Sequence, residues 1–197
     1  MKYSSTSFKK MADFTDIKQG HLFRKGIRNL PHGEIYLIQP SDIDQNGIID
    51  PSNLHRVKKT EIKETALIDQ NDIVVKSKSS PPVFFKVKDS EGPFAVTDQF
   101  LIININKKYI ISDFLLWYLR SRNSIIYFQA RMDGTSVPFL KKETLKNMEI
   151  PIPSINNQER IVMMNKLIDE EKMLVEEITD HKKKMIEQLS MNIIQGE

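Results

Sequence analysis

Apolar and polar positions along this chain fall into three textures, each predicting a different kind of element. From 13 to 30 the apolar residues Phe14, Ile17, Leu22, Phe23 and Ile27 hold no sustained period, and Gly20 and Gly26 interrupt them. Short strands and turns are expected there, with Arg24, Lys25 and Arg28 crowded onto a loop. Glu34-Ile35-Tyr36-Leu37-Ile38-Gln39 reads as a strand stopped by Pro40, and Asp42-Ile43-Asp44-Gln45-Asn46-Gly47 follows as turn chemistry. Between 66 and 105 the texture is β throughout. Asp72-Ile73-Val74-Val75-Lys76-Ser77-Lys78, Val83-Phe84-Phe85-Lys86-Val87-Lys88, Ala95-Val96-Thr97 and Phe100-Leu101-Ile102-Ile103-Asn104-Ile105 combine β-branched and aromatic residues with alternating lysines. That is the pattern of strands buried on one face.

At Ser112 the period changes to helical. Ser112 stands where an N-cap belongs, ahead of Asp113-Phe114-Leu115-Leu116-Trp117-Tyr118-Leu119-Arg120, and Asp113 suits the positive end of a helix. A second helical stretch covers about 124–131, Asp133-Gly134 makes a turn, and a short helix is predicted over 141–146. Glu149-Ile150-Pro151-Ile152-Pro153 is held extended by its alternate prolines. Beyond it, Asn156 with Glu159 three residues on has the form of a helix start, and no glycine or proline follows until Gly196. Heptad positions a fall at Ile161, Ile168, Val175, Lys182 and Leu189, and positions d at Met164, Glu171, Ile178, Met185 and Asn192. Seven of the ten are apolar, which is a usable coiled-coil seam. Such a helix extends roughly 55–60 Å at 1.5 Å per residue. A domain of the preceding length has a radius of gyration of about 15 Å, so the stripe needs a partner of its own.

Charge sharpens this division. Residues 1–154 hold 23 Lys and Arg against 17 Asp and Glu, whereas 155–197 hold 6 against 9. The overall +3 therefore averages a basic portion and an acidic one, which points to two surfaces with different partners. Hydrophobic residues at 40% and charged residues at 28% place the 197-residue chain among globular proteins, with room for one domain and an appended element. No apolar run reaches the roughly 18 residues of a membrane span. The start, Met1-Lys2-Tyr3-Ser4-Ser5-Thr6, leads into no apolar stretch of a secretion signal, so a cytoplasmic location is expected.

Catalytic chemistry is sparse. The absence of cysteine removes disulfides, thiolate metal sites and a thiol nucleophile. His21, His32, His55 and His181 stand far apart, with no pair at metal-ligand spacing. The acid spacing from Asp42 resembles a calcium loop, but its twelfth position is Asn53 where a bidentate Glu is needed. Glu61-Ile62-Lys63, with Asp50 upstream, fits half of a nuclease metal site, yet about one Glu-x-Lys tripeptide is expected by chance from 13 Glu and 22 Lys. Ser80-Pro81-Pro82-Val83-Phe84 is similar to the Asn/Asp-Pro-Pro-aromatic loop of adenine methyltransferases but lacks the Asn or Asp that would hold a flipped base. It reads better as a stiffened connection between strands. No catalytic residue, metal site or cofactor is expected.

Several segments in order resemble the specificity subunit of Type I restriction–modification systems. Ile150-Pro151-Ile152-Pro153-Ser154-Ile155-Asn156-Asn157-Gln158-Glu159-Arg160-Ile161 is similar to that family's Pro-x-Pro, hydrophobic, Gln junction between a target-recognition domain and a long spacer helix. Phe114-Leu115-Leu116-Trp117-Tyr118-Leu119-Arg120-Ser121 resembles the family's helix before a glycine loop, and Gly134-Thr135-Ser136-Val137-Pro138 that loop. Leu67-Ile68-Asp69-Gln70-Asn71-Asp72-Ile73-Val74-Val75 resembles the loop-then-strand signature, with Asn71, a residue that tolerates positive φ, in place of the usual Gly. Gln39-Pro40-Ser41-Asp42-Ile43 is similar to the segment before it. The resemblance covers about 13–195. Typical members carry two recognition domains and two spacer helices, so this chain looks like a half-subunit.

The resemblance implies an α+β chain: one mixed or antiparallel-sheet target-recognition domain over 1–154, then one long coiled-coil spacer helix over 155–197. It implies a non-catalytic DNA-binding subunit that holds double-stranded DNA for a separate adenine methyltransferase subunit and a restriction subunit. Two copies would pair antiparallel through Ile161, Met164, Ile168, Val175, Ile178, Met185 and Leu189, and read a bipartite palindromic site. For DNA contacts the expected residues are Arg24, Lys25 and Arg28 on one loop, Lys76 and Lys78 on a strand and its loop, and Arg131, Thr135 and Ser136 on another loop. Their expected roles are phosphate anchoring and, for an arginine, bidentate recognition of guanine. The alternative is a stand-alone adaptor or regulator that binds DNA or protein on the same fold.

Overall fold

The computed structural model describes residues 6–87, 92–134 and 138–195. Thr135 and Ser136 lie outside the described residues. The chain divides into two units, Met1–Gln158 and Glu159–Glu197.

The first unit is built on β-strands in two four-stranded sheets and one ribbon. Strands β1 (Ser7–Lys10), β2 (Thr15–Gln19), β3 (Ile35–Ile38), β4 (His55–Val57) and β5 (Leu67–Ile68) come first. They are followed by β6 (Ile73–Lys76), β7 (Val83–Phe85), β8 (Phe94–Val96) and β9 (Phe100–Ile105). Helices α1 (Ser112–Leu119), α2 (Arg122–Gln129) and α3 (Lys142–Lys146) then lead to β10 (Glu149–Ile152). One sheet has the order β2-β9-β6-β7, entirely antiparallel; the other has the order β4-β3-β8-β5, with β3 and β8 parallel. The polar β1 pairs with β10. This is the mixed α+β architecture that the strand and helix textures imply.

Period-two alternation explains how the two sheets pack. Ile38, Phe94 and Val96 from one sheet share a core with Val74, Phe85, Phe100 and Ile102 from the other. Their neighbours Ile35, Leu37 and Ala95 point to the opposite face and pack with Val57, Ile62 and Ala66. Between the sheets the Phe85 and Phe100 rings meet edge to face, 5.8 Å between centroids and 83° apart. Such a pair contributes about 0.5–1.5 kcal/mol beyond the area it buries. On the outer side Phe84 stacks on Phe128 at 5.3 Å, attaching α2 to β7.

Helix starts depart from the sequence reading in two places. Ser112 is the first residue of α1 and not its cap, because Lys86 Nζ donates to Ser112 Oγ at 2.8 Å and to Asp113 Oδ1 at 2.6 Å. The hydroxyl is therefore taken by a cation just beyond β7. The last helix, α4 (Ile155–Gln195), begins a residue ahead of Asn156, with Ser154 Oγ accepting the Asn157 N–H at 3.4 Å. No described residue other than glycine has positive φ, so Asn71 does not use its tolerance for it. Among the described residues the second unit is the remainder of α4, whose 41 residues extend about 60 Å. No helix among the described residues is long and apolar enough to cross a membrane.

Candidate nucleic-acid interface

Strands β2 and β6 both pair antiparallel with β9, one on each side, so they run parallel to each other and end at the same edge. That edge is the turn 97–100 that opens β9. Gly20 N–H donates to Phe100 O at 3.1 Å and His21 N–H to Val96 O at 2.8 Å, while Asp98 N–H returns to His21 O at 2.9 Å. On the other side Ser77 N–H and Ser77 Oγ both donate to Gln99 O, at 3.3 and 2.8 Å. A Cβ on Gly20 would lie 2.1 Å from Thr97 O, so only glycine lets β2 leave so close to the turn.

The loop leaving β2 carries Arg24, Lys25 and Arg28, all exposed. It is pinned from within: Phe23 and Ile27 pack against the Ile35, Leu37 and Val57 cluster, and the Phe23 ring meets His21 edge-on at 4.5 Å. At its far end Leu30 N–H donates to Arg56 O, and Asn29 Oδ1 accepts Arg56 N–H. Two inward apolar residues thus alternate with three outward cations around Gly26, which takes φ +78°. His21, Arg24, Lys25, Arg28 and Glu61 line an open concavity of about 650 Å³. Lys63, weighed in the sequence only as part of a Glu-x-Lys tripeptide and not as a DNA contact, joins His21 here because its backbone N–H donates to His21 Nδ1 at 3.2 Å. Partial burial, then the nearby Lys63 charge, holds the His21 imidazole below its ordinary pKa.

The chain leaving β6 carries Lys78, exposed, while Lys76 is drawn into the fold and donates to Pro40 O at 2.7 Å. Leu140 N–H donates to Ser77 O at 2.8 Å, bringing the far side of the 133–140 loop to the same edge. Asp133 and Phe139 close that loop as a two-way backbone bridge, with Gly134 at φ +91°. Arg131 opens onto a different concavity of about 420 Å³, shared with Tyr118, Tyr127 and Asn147. Its guanidinium lies 4.1 Å above the Tyr127 ring and donates to Tyr127 O at 3.2 Å.

Arg24, Lys25 and Arg28 therefore stand on the chain that follows β2 and Lys78 on the chain that follows β6, two strands whose ends flank the 97–100 turn; Lys63 joins the first of these through His21, with Glu61 and Asp98 as nearby carboxylates. Such an excess of cations on pinned backbone suits a polyanion. Among the described residues no group of three His, Cys, Asp or Glu is placed to hold a metal.

The family model for the Type I restriction modification DNA specificity domain matches residues 4–186. The chain belongs to this family. It is 26% identical over 165 residues to the Type I restriction enzyme MjaIX specificity subunit of Methanocaldococcus jannaschii, covering 82% of this chain and 37% of that protein. With the EcoR124I/EcoR124II specificity subunit of Escherichia coli it shares 28% over 156 residues, 76% of this chain and 36% of that protein. The chain thus spans less than two fifths of these curated relatives. Among solved structures the HsdS subunit from Thermoanaerobacter tengcongensis superposes with a TM-score of 0.60 at 16% identity, covering 86% of this chain and 38% of that one. The S subunit from M. genitalium gives 0.57 at 16%, covering 86% and 40%. A chain of a type I R-M system gives 0.68 at 13%, covering 94% and 44%. These likenesses establish the specificity-domain fold, with its sheets and long C-terminal helix.

Proposed function

We propose that this specificity-domain chain is a non-catalytic DNA-reading subunit that grips duplex DNA with the edge where β2 and β6 end. The single observation behind this reading is that the exposed cations Arg24, Lys25 and Arg28 follow β2 and the exposed Lys78 follows β6, two strands held at the same 97–100 turn. Lysines would hold phosphates and set register on the duplex, and arginines would reach guanine edges in the major groove. Thr135 and Ser136 belong to the same proposal on their place in the sequence alone. Arg131 would serve from its own, separate concavity. Lys76, with one of its three donors committed to Pro40, would act more as a brace for the edge than as an anchor.

In this reading the apolar seam of α4 pairs two copies antiparallel, and the pair reads a bipartite palindrome for a separate adenine methyltransferase, with a restriction subunit as further partner. Met164, Ile168, Val175, Ile178, Met185 and Leu189 are each 49–62% exposed, which is far more apolar surface than a lone helix keeps in water. The test is methylation of plasmid DNA by the chain together with its methyltransferase subunit, mapped by sequencing. Methylated adenines confined to one gapped inverted repeat support the proposal, and methylation absent or without a common motif overturns it.

A further inference from the structure

The seam of α4 is interrupted by charge at two core positions, Glu171 at d and Lys182 at a. Their neighbours are used along the helix: Lys166 pairs with Glu170 at 3.8 Å and Lys183 with Asp180 at 3.7 Å. Neither Glu171 nor Lys182 makes an ion pair or side-chain hydrogen bond among the described residues, and both are exposed. A charge in a coiled-coil core is costly when unpaired and serves to select register when paired.

We infer that α4 pairs with a second copy of this chain in one antiparallel register, with the two-fold axis between Glu176 and Glu177, and that Glu171 of each copy meets Lys182 of the other. This rests on the self-pairing reading above and adds the register to it. The interruptions sit at equal distances on either side of that axis, so it sets each in the same layer as its opposite charge. The other layers are then Val175 with Ile178, Ile168 with Met185, Met164 with Leu189, and Ile161 with Asn192. Each joins an a position to a d position, as an antiparallel pair requires. The acidic turn Asp169-Glu170-Glu171 also lies level with the partner's Lys182-Lys183-Lys184, so attraction guides the approach as well as the core.

The competing arrangements fail on the same residues. A shift of one heptad sets Glu171 against Val175 or Leu189, and Lys182 against Met164 or Ile178, burying four unpaired charges per pair. A parallel in-register pair sets Glu171 against Glu171 and Lys182 against Lys182. Only this register pairs the charges it buries, which is specificity by exclusion of alternatives.

The chain contains no cysteine, so introduced thiols report the register directly. E171C and K182C variants, made separately, are mixed, allowed to exchange subunits and oxidised. The register predicts at least tenfold more cross-linked dimer in the mixture than in either variant alone. E171K or K182E alone should weaken the dimer about tenfold or more in sedimentation, and the E171K/K182E double variant should recover to within about threefold. Self-linking of E171C as efficient as the mixture, or a double variant no better than the singles, overturns the register while leaving self-pairing intact. An unaltered chain that sediments as a monomer, with and without DNA, overturns both. Sequence-specific methylation is read separately and tests the DNA-reading role on its own.

Discussion

The buried Gln158 side chain accepts the Ile111 N–H on its Oε1 at 2.8 Å, closing the first turn of the last helix onto the residue that precedes α1. Its Nε2 donates to Tyr109 O and Pro153 O, both at 2.9 Å. Every donor and the acceptor of this amide is thus matched to backbone, at sequence separations of 47, 49 and 5 residues. Gln158→Ala strands three part-buried backbone groups, each costing up to about 1–3 kcal/mol. The expected result is a loss of several kcal/mol in urea unfolding. Gln158→Glu keeps the Ile111 bond but sets a carboxylate oxygen against two carbonyls, so it should be destabilised nearly as much at neutral pH and recover partly in acid.

Arg24→Ala, Lys25→Ala and Arg28→Ala should each weaken DNA binding without shifting the melting temperature, because all three side chains are exposed while Phe23 and Ile27 hold the loop. The slope of log affinity against log salt should fall by about 0.9 for each phosphate contact removed. A residue that reads a base will instead relax sequence preference at one position. Titration at several salt concentrations separates the two. Lys78→Ala should behave like the loop variants, whereas Lys76→Ala should also lower stability through the lost bond to Pro40.

Gly20→Ala should be among the most damaging single-methyl changes in the first unit. Its Cβ would overlap Thr97 O and Val96 O, backbone atoms fixed inside the sheet. A loss of about 3 kcal/mol or more, or insoluble expression, is expected. Gly26→Ala meets no atom within 4 Å and is opposed only by its positive φ, so it should cost about 1 kcal/mol.

Asp72 is buried, and burial raises its carboxyl pKa despite hydrogen bonds from Asp69 N–H and Asn104 Nδ2. The folded state therefore holds this proton more tightly than the unfolded chain does. Its contribution to stability is full below the ordinary aspartate value of about 3.9 and is lost as pH rises through the raised value. Asp72→Asn removes that dependence, so the stability of the unaltered chain relative to this variant should decline from about pH 4 upward. Chemical denaturation across pH 3.5–7 measures it.

Ile168→Asp combined with Val175→Asp should yield a folded monomer, since both residues are about half exposed in the single chain and pack only in a pair. Sedimentation showing an unchanged dimer would remove α4 from the interface.

Much of this was legible in the sequence because it is local. The apolar runs of β6, β7 and β9 and the alternation of Ile35-Tyr36-Leu37-Ile38 announce themselves by period, as does the seam of α4. β1 does not: Phe8 is its one apolar residue and is 65% exposed, so the strand exists only through its pairing with β10. Ser112 looked like a cap because a cap is a local device, but Lys86, 26 residues earlier, takes its hydroxyl. Arg24 and Lys78 were each legible as loop cations, yet that the strands they follow end beside the same 97–100 turn comes from strand order, which no local pattern encodes. Gln158 stood out within the junction motif, but its partners were invisible until Tyr109 and Ile111 were brought beside it.

The most direct measurement of the central claim is selection of bound duplexes from a randomised pool by the chain together with the methyltransferase subunit proposed as its partner. Two identical half-sites in inverted orientation at a fixed spacing are predicted, with enrichment lost in the Arg24→Ala/Lys25→Ala/Arg28→Ala variant. Enrichment of a single ungapped motif, or none, would contradict it.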